Sequence, residues 1–387
     1  VANLKTSTIA IFSGFYSPHT GGVERYTDKL AGALEDIGYN IVIVTSNNDN
    51  LKTYEKIGQR SIYRLPILNL ASKRYPIPRL NSEYNRTIKR IKQENIDYFI
   101  VNTRFYLTSL IGARLGHRNR KPVILIEHGT GHFTVGNKLL DYFGHNYEHF
   151  LTSLVKKNVD RFYGVSKSCN KWLKHFAING NGVFYNSINK KESLGALDRY
   201  AKSYPKDEII ITYAGRLIAE KGVLNLLDAF GQLNSRKLDR KVRLVVAGDG
   251  PLLNKIKEKY DDDNIDIVGR LDFNKVMSLY KRTDIFVYPS LYPEGLPTSI
   301  LEAGLMNCAV IATPKGGTEE VMIDNNYGVI VDGSVRSLSK AINRLVNDDR
   351  LRRQLADNIH KRIRDNFDWA NTAATVEKEL KMIDLKK

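Results

Sequence analysis

Two trains of short, uninterrupted apolar runs, separated by one polar interval, constrain this chain more than any other feature. The first train occupies residues 9–12, 41–44, 61–65, 98–101, 123–126, 162–165 and 183–185. Helical patterns lie between several of these runs; the first spans about 23–37 and is stopped by Gly38. A strand apolar at consecutive positions is buried on both faces, which requires a mostly parallel sheet with helices on either side. From about Asn186 to Lys206 the pattern lapses. It restarts at 209–213 and continues through 242–247, 265–268, 285–288, 310–312 and 328–331. Helical segments around 337–346 and 350–367 follow, and a last helix is expected from an Asp368 N-cap to about Ile383. The reading is two doubly wound, Rossmann-like α/β domains. The first is residues 1–188 with a returning helix at 368–387; the second is 189–367. Ligands of such sheets bind beyond the carboxyl ends of the strands. Two facing sheets would therefore place a site in an interdomain cleft.

A length of 387 residues suits two domains, and no apolar run approaches the roughly 20 residues needed to span a bilayer. The apolar stretch at 8–15 is too short for a signal sequence. Cys169 and Cys308 sit in separate apolar contexts, as expected of reduced, buried thiols in a cytoplasmic protein. The net charge is +17 and is uneven: residues 52–121 hold sixteen Lys/Arg against four Asp/Glu. Tyr54, Tyr63, Tyr75 and Tyr84 punctuate that segment. Cations on phosphates and rings at headgroup level would suit a peripheral position on an anionic membrane. Nucleic acid would also attract such charge, but no helix-turn-helix, zinc-finger or RNP signature accompanies it, so none is expected as a partner.

The chemistry concentrates at the strand ends of the second train. Glu294-Gly-Leu-Pro-Thr-Ser-Ile-Leu-Glu302 places two carboxylates across a loop-to-helix boundary. Pro297 suits the first helical position, and the N–H groups of Thr298, Ser299 and Ile300 then form a terminus that attracts phosphate. Glu302, about 7 Å along the axis, leans back toward the same place. Arg216 and Lys221, five residues apart between a strand and a helix, can clamp a diphosphate. Small-residue turns follow two more strands, at Gly248-Asp-Gly and Gly269-Arg270-Leu271, and let backbone approach a ligand. Lys315-Gly316-Gly317-Thr-Glu-Glu320 is the fifth segment.

Taken singly, each segment is weak. Their order and spacing together resemble the C-terminal domain of retaining family-4 glycosyltransferases of the GT-B fold. Gly21-Gly22-Val-Glu24 looks like that family's N-terminal glycine loop, while Gly164-Val-Ser166 and Asn186 are similar to its later signatures. The resemblance covers nearly the whole chain. It implies that Arg216 and Lys221 hold the donor diphosphate, that Glu302 accepts from the ribose and that Glu294 contacts the transferred sugar. Backbone near Arg270 and Leu271 would hold the base; Gly21, Gly22, Gly248, Leu296, Pro297 and Thr298 would approach the donor. His128, at a strand end, matches the family's histidine near the sugar, so the candidate catalytic residues are Glu294, His128, Arg216 and Lys221. Two departures bear on donor or acceptor choice: Gly295-Leu296-Pro297 replaces the frequent Gly-Phe-Gly, and Asn186-Ser187 the frequent Asn-Gly.

The expected activity is transfer of a sugar from a nucleoside diphosphate donor, a UDP-sugar first, to a saccharide or lipid-linked acceptor in surface polysaccharide or glycoconjugate synthesis. No cofactor and no metal are expected, because Arg216 and Lys221 supply the neutralising charge; the Asp261-Asp-Asp263 run reads as a solvated turn. His145-Asn-Tyr-Glu148-His149 has the H-x-x-E-H spacing of some zinc peptidases. It lies on a helix whose stripe of Leu140, Phe143, Tyr147, Phe150 and Leu154 suits an acceptor wall or a membrane-facing surface instead. His132 is a second candidate beside His128. The rival readings are a GT-B nucleotide-sugar epimerase and a non-enzymatic, basic nucleic-acid-binding protein.

Overall fold

In a computed structural model of the protein, the first apolar run forms β1 (Thr8–Phe12), with all five residues buried. Residues 7–19, 21–68, 75–134, 137–200, 202–205, 207–234 and 240–385 are described. The chain divides into two units, Val1–Asn186 with Trp369–Lys387, and Ser187–Asp368. Continuing through the first unit are α1 (Gly22–Asp36), β2 (Asn40–Ser46), β3 (Tyr54–Ile57), β4 (Arg60–Leu65), β5 (Ile67–Leu68), β6 (Ile77–Pro78) and α2 (Ser82–Lys92). Then come β7 (Tyr98–Asn102), α3 (Leu107–Arg118), β8 (Val123–Glu127), α4 (Lys138–Val155), β9 (Arg161–Gly164), α5 (Lys167–Leu173) and β10 (Gly182–Val183).

The first sheet runs β10-β9-β8-β7-β1-β2-β4-β3. Alternation along β1 explains why its residues are all apolar. Ile9 and Ile11 pack with Tyr26, Leu30 and Leu34 of α1 on one face. Ala10 and Phe12 pack with Leu110 and Ala113 of α3 and with Leu151 and Val155 of α4 on the other. The sheet is parallel except for β3, which pairs antiparallel with β4 and which the apolar pattern did not reveal. Its sequence, Tyr-Glu-Lys-Ile, is largely exposed, as suits a short, charged edge strand.

The second unit opens with α6 (Lys190–Leu194), followed by β11 (Glu208–Ala214), α7 (Val223–Asn234), β12 (Lys241–Ala247), α8 (Leu253–Lys259), β13 (Ile265–Gly269), α9 (Phe273–Tyr280) and β14 (Ile285–Tyr288). It closes with α10 (Thr298–Leu305), β15 (Ala309–Ala312), α11 (Thr318–Val321), β16 (Val329–Ile330), α12 (Val335–Asn347) and α13 (Asp349–Asn366). The sheet order is β13-β12-β11-β14-β15-β16, and every recorded pairing is parallel. The chain leaves β11 toward β12 and later returns on its other side as β14, so strand order reverses between β11 and β14, the position beyond which ligands of such sheets bind. In the first unit the same reversal falls between β1 and β7.

The last helix, α14 (Trp369–Asp384), belongs to the first unit. Trp369 meets Tyr26 of α1 edge-on at 5.0 Å, and Glu379 pairs with Arg161 of β9 at 2.5 Å. Asp368, expected to cap this helix, forms a parallel bridge with Ile188.

Candidate active site

The loops after the second unit's strands are tied to one another through backbone. Beyond β11, Leu217 N–H donates to the Asp249 carbonyl (2.9 Å), and beyond β12, Gly248 N–H donates to that of Gly269 (2.8 Å). Gly248 has φ +149°, and a Cβ there would lie 1.8 Å from the Gly215 carbonyl oxygen. Its smallness serves the close approach of two protein loops. After β14, Leu291 N–H donates to the Glu220 carbonyl (2.8 Å), and a Cβ on Gly222 (φ +70°) would meet the Pro289 carbonyl oxygen at 2.1 Å. Gly316 packs likewise on the Glu294 carbonyl, and Gly317 N–H donates to that of Gly295 (2.7 Å).

This knitting brings Lys221 and Glu294 into an ion pair whose side chains are 14% and 15% exposed. Glu294 Oε1 also accepts from Tyr288 Oη (2.8 Å) and Ser290 Oγ (2.9 Å). Burial first, and the adjacent carboxylate second, raise the Tyr288 pKa well above the ordinary phenol value, so it stays a neutral donor. Tyr288 received no role from the sequence, and Ser290 only a place in the strand-end segment leading to Glu294; the phenol that closes the otherwise apolar strand β14 was the available signal. Arg216 is exposed, and its carbonyl accepts from Tyr213 Oη at 2.9 Å.

Pro297 is the N-cap of α10, with extended ψ of 114°, rather than its first helical residue as expected. The helix starts at Thr298, so Thr298, Ser299 and Ile300 remain the first N–H groups. Leu296 and Pro297 are buried. Glu302 is half-buried, on the second turn of α10. Gly269 (φ +69°) turns the chain after β13, leaving Arg270 exposed and Leu271 half-buried. Residues 261–263 form an exposed turn, in which Asp262 accepts from Asn264 N–H.

In the first unit, His128 follows β8. Its Nε2 lies 3.0 Å from Asn102 Oδ1, and Asn102 Nδ2 donates to Thr27 Oγ1 at 2.7 Å. The ring packs edge-on against Tyr26, with centroids 4.7 Å apart. Loss of water around this part-buried ring pushes its pKa down to about 3, so it is neutral near pH 7. Glu127 holds the turn by accepting from His128 N–H (3.1 Å) and Gly129 N–H (2.9 Å), and it pairs with the fully buried Arg104 at 2.8 Å. Asn102 was missed because it closes an apolar run. Gly21 is the extended N-cap of α1, and a Cβ there would lie 2.2 Å from the Glu24 carboxylate; Gly22 has open space around it.

Residues 197–362 match the family model described as Glycosyl transferases group 1, and residues 20–191 match Glycosyltransferase Family 4. An uncharacterized glycosyltransferase of Methanocaldococcus jannaschii is 29% identical over 384 residues, covering 96% of this chain and 97% of the relative. This chain is a family-4-like glycosyltransferase. The phosphatidylinositol N-acetylglucosaminyltransferase GPI3 subunit of Saccharomyces cerevisiae is 24% identical to it, covering 95% of this chain and 82% of that one. The GT-B fold is shared with sucrose-phosphate synthase from Thermosynechococcus elongatus (TM-score 0.77, 21% identity, 98% and 100% covered). It is also shared with Anabaena HepE in complex with UDP and glucose (TM-score 0.70, 15% identity, 97% and 100% covered). An enzyme that transfers sugars replaces the epimerase and the non-enzymatic reading.

The glycosyltransferase's basic segment is less free than its composition suggests. Arg60 pairs with Asp28 and Glu35, Arg64 with Glu55, Arg104 with Glu127 and Glu148, and Lys121 with Asp97. Exposed cations remain on α2, at Arg86, Lys89, Arg90 and Lys92. Lys73 and Arg74 lie outside the described residues. Of the four tyrosines only Tyr54 is exposed; Tyr63 is buried, and Tyr75 turns inward to Tyr147 Oη at 2.7 Å. Among the described residues, exposed apolar side chains gather on α4. The expected stripe divides: Tyr147 and Leu154 pack on the core, while Leu140, Phe143 and Phe150 are about 60% exposed, as are Leu139 and Tyr142. Both helices lie on the sheet face that carries α3. Among the described residues no helix is long and apolar enough to cross a membrane.

Proposed function

We propose that this glycosyltransferase transfers a sugar, with retention of anomeric configuration, from a UDP-sugar to a lipid-linked acceptor at an anionic membrane surface. The observation that carries the donor half is the enclosed Lys221–Glu294 pair past the ends of β11 and β14, beside the start of α10. Arg216, Lys221 and the first N–H groups of α10 stabilise charge on the diphosphate as the bond from sugar C1 to the phosphate oxygen breaks. Glu302 accepts from the ribose hydroxyls and Glu294 from the sugar. Gly21, Gly22 and the backbone around Arg270 and Leu271 complete the donor contacts, and neutral His128 hydrogen-bonds the sugar. The acceptor hydroxyl bonds to C1 on the face the phosphate leaves, through an oxocarbenium-like state, and its proton passes to the departing phosphate oxygen. The transfer needs no divalent ion on this reading, since the cations are side chains.

Complexes of HepE with UDP and glucose support the donor class, and a relative named for phosphatidylinositol supports the acceptor class. The membrane half rests on α4, whose exposed aromatic and aliphatic side chains would sit at headgroup level while the cations of α2 meet anionic lipid. The position implied is peripheral, on the inner face of the cell membrane, in surface polysaccharide or glycoconjugate synthesis. Incubating the enzyme with UDP-glucose or UDP-N-acetylglucosamine and vesicles bearing a polyprenyl-linked saccharide tests both halves. The expected product carries the donor's anomeric configuration by NMR, and the protein floats with anionic vesicles at low salt. An inverted anomer would remove the mechanism; protein left in solution would remove the membrane assignment.

A further inference from the structure

Three histidines from separate segments of the first unit converge on one point. His132 lies in the loop between β8 and α4, His149 on α4, and His175 in the short 3-10 turn 174–176 after α5. One ring nitrogen from each lies within 4.8 Å of the other two. His132 Nε2 and His175 Nε2 are 3.1 Å apart. A tetrahedral ion with bonds of about 2.0–2.1 Å to nitrogen holds two such ligands about 3.4 Å apart, so only small ring movements would be needed.

The arrangement around His132 orients it for this task. Its Nδ1 lies 3.0 Å from Glu148 Oε2, a buried carboxylate fixed in turn by Arg104 Nη2 and Phe133 N–H, each at 2.8 Å. A proton held on Nδ1 by that carboxylate leaves the Nε2 lone pair facing the other two rings, the usual support for a metal-bound histidine. His145 stacks flat on His132, with centroids 4.1 Å apart, backing the ring without joining the group. His149 and His175 are exposed, so an ion has a route in and a position open to water.

We propose that His132, His149 and His175 bind one divalent transition-metal ion of the zinc class, with water completing a four-coordinate shell. The ion would pin the loop after β8, which begins at His128, to α4 and to the turn after α5. This is not the arrangement suggested by the His145-x-x-Glu148-His149 spacing. Glu148 faces Arg104 instead of acting as a base, and the third ligand comes from a segment 26 residues further along the chain. The site is independent of the donor reading.

Tag-free protein, stripped with a chelator, would be titrated with ZnCl2 by calorimetry and with CoCl2 by visible absorption. The expected result is one equivalent of zinc per chain, the intense bands of four-coordinate cobalt, and a rise of several degrees in melting temperature with zinc. His132→Ala and His175→Ala should each weaken binding by about 100-fold, and His145→Ala by less than about threefold. No saturable uptake, or uptake unchanged in the His132→Ala/His175→Ala double variant, would overturn the proposal and leave an N–H···N bond between two imidazoles. If either variant melts differently when metal-free, the cobalt spectrum of the wild-type chain decides: tetrahedral bands at one equivalent support the site, and their absence rejects it.

Discussion

At the scale of single residues, Lys221 and Glu294 are worth most as a pair. The carboxylate keeps two neutral donors, Tyr288 and Ser290, if the ammonium is removed. Lys221→Ala should therefore lower turnover by about 100-fold or more while costing roughly 1–3 kcal/mol of stability, checked by steady-state kinetics and denaturant unfolding. His128 makes a pH prediction. Its folded pKa lies below the ordinary value of about 6.5, so below that pH the unfolded chain binds a proton that the native ring refuses. Stability should fall as pH drops from about 6.5 toward 3, by up to about 1.4 kcal/mol per pH unit from this group. His128→Asn should flatten that part of the curve; an unchanged slope would show that the ring is not held neutral. The charged members of the site were legible because a carboxylate or cation at a strand end is conspicuous in sequence. Tyr288 and Asn102 were not, and Ser290 stood out only as part of a strand-end segment, because their importance lies in which neighbour they face.

At the scale of elements, the loops show the same division. The strand ends could be located from apolar runs, but the role of the glycines could not. Gly248 and Gly316 are required where one loop crosses another, with φ of +149° and +59°. Gly248→Ala should destabilise the second unit by about 2–4 kcal/mol, through strain and the clash with Gly215, and lower its melting temperature even without ligand. Edge strand β3 escaped notice because it offers one aliphatic residue in four. Helix α4 was read correctly as amphipathic, yet its stripe is shared between core and solvent, which periodicity alone does not resolve. Phe143→Asp/Phe150→Asp should abolish flotation with anionic vesicles and leave the melting temperature within about 2 °C of wild type, since both side chains project from the surface. Retained flotation would move the membrane contact elsewhere.

At the scale of the molecule, two doubly wound units each gather polar side chains where strand order reverses, and the apolar runs foretold that layout. The second unit presents cations, a helix start and two carboxylates past its reversal; the first presents a neutral histidine held by Asn102. The division of labour between Glu302 and Glu294 is the centre of the account. Calorimetric titration of UDP into wild-type enzyme, Glu302→Ala and Glu294→Gln tests it most directly. The ribose contact predicts one site in the wild type, affinity at least about tenfold weaker in Glu302→Ala, and little change in Glu294→Gln, whose carboxylate serves the absent sugar. Wild-type affinity in Glu302→Ala would contradict the placement of the nucleotide on α10.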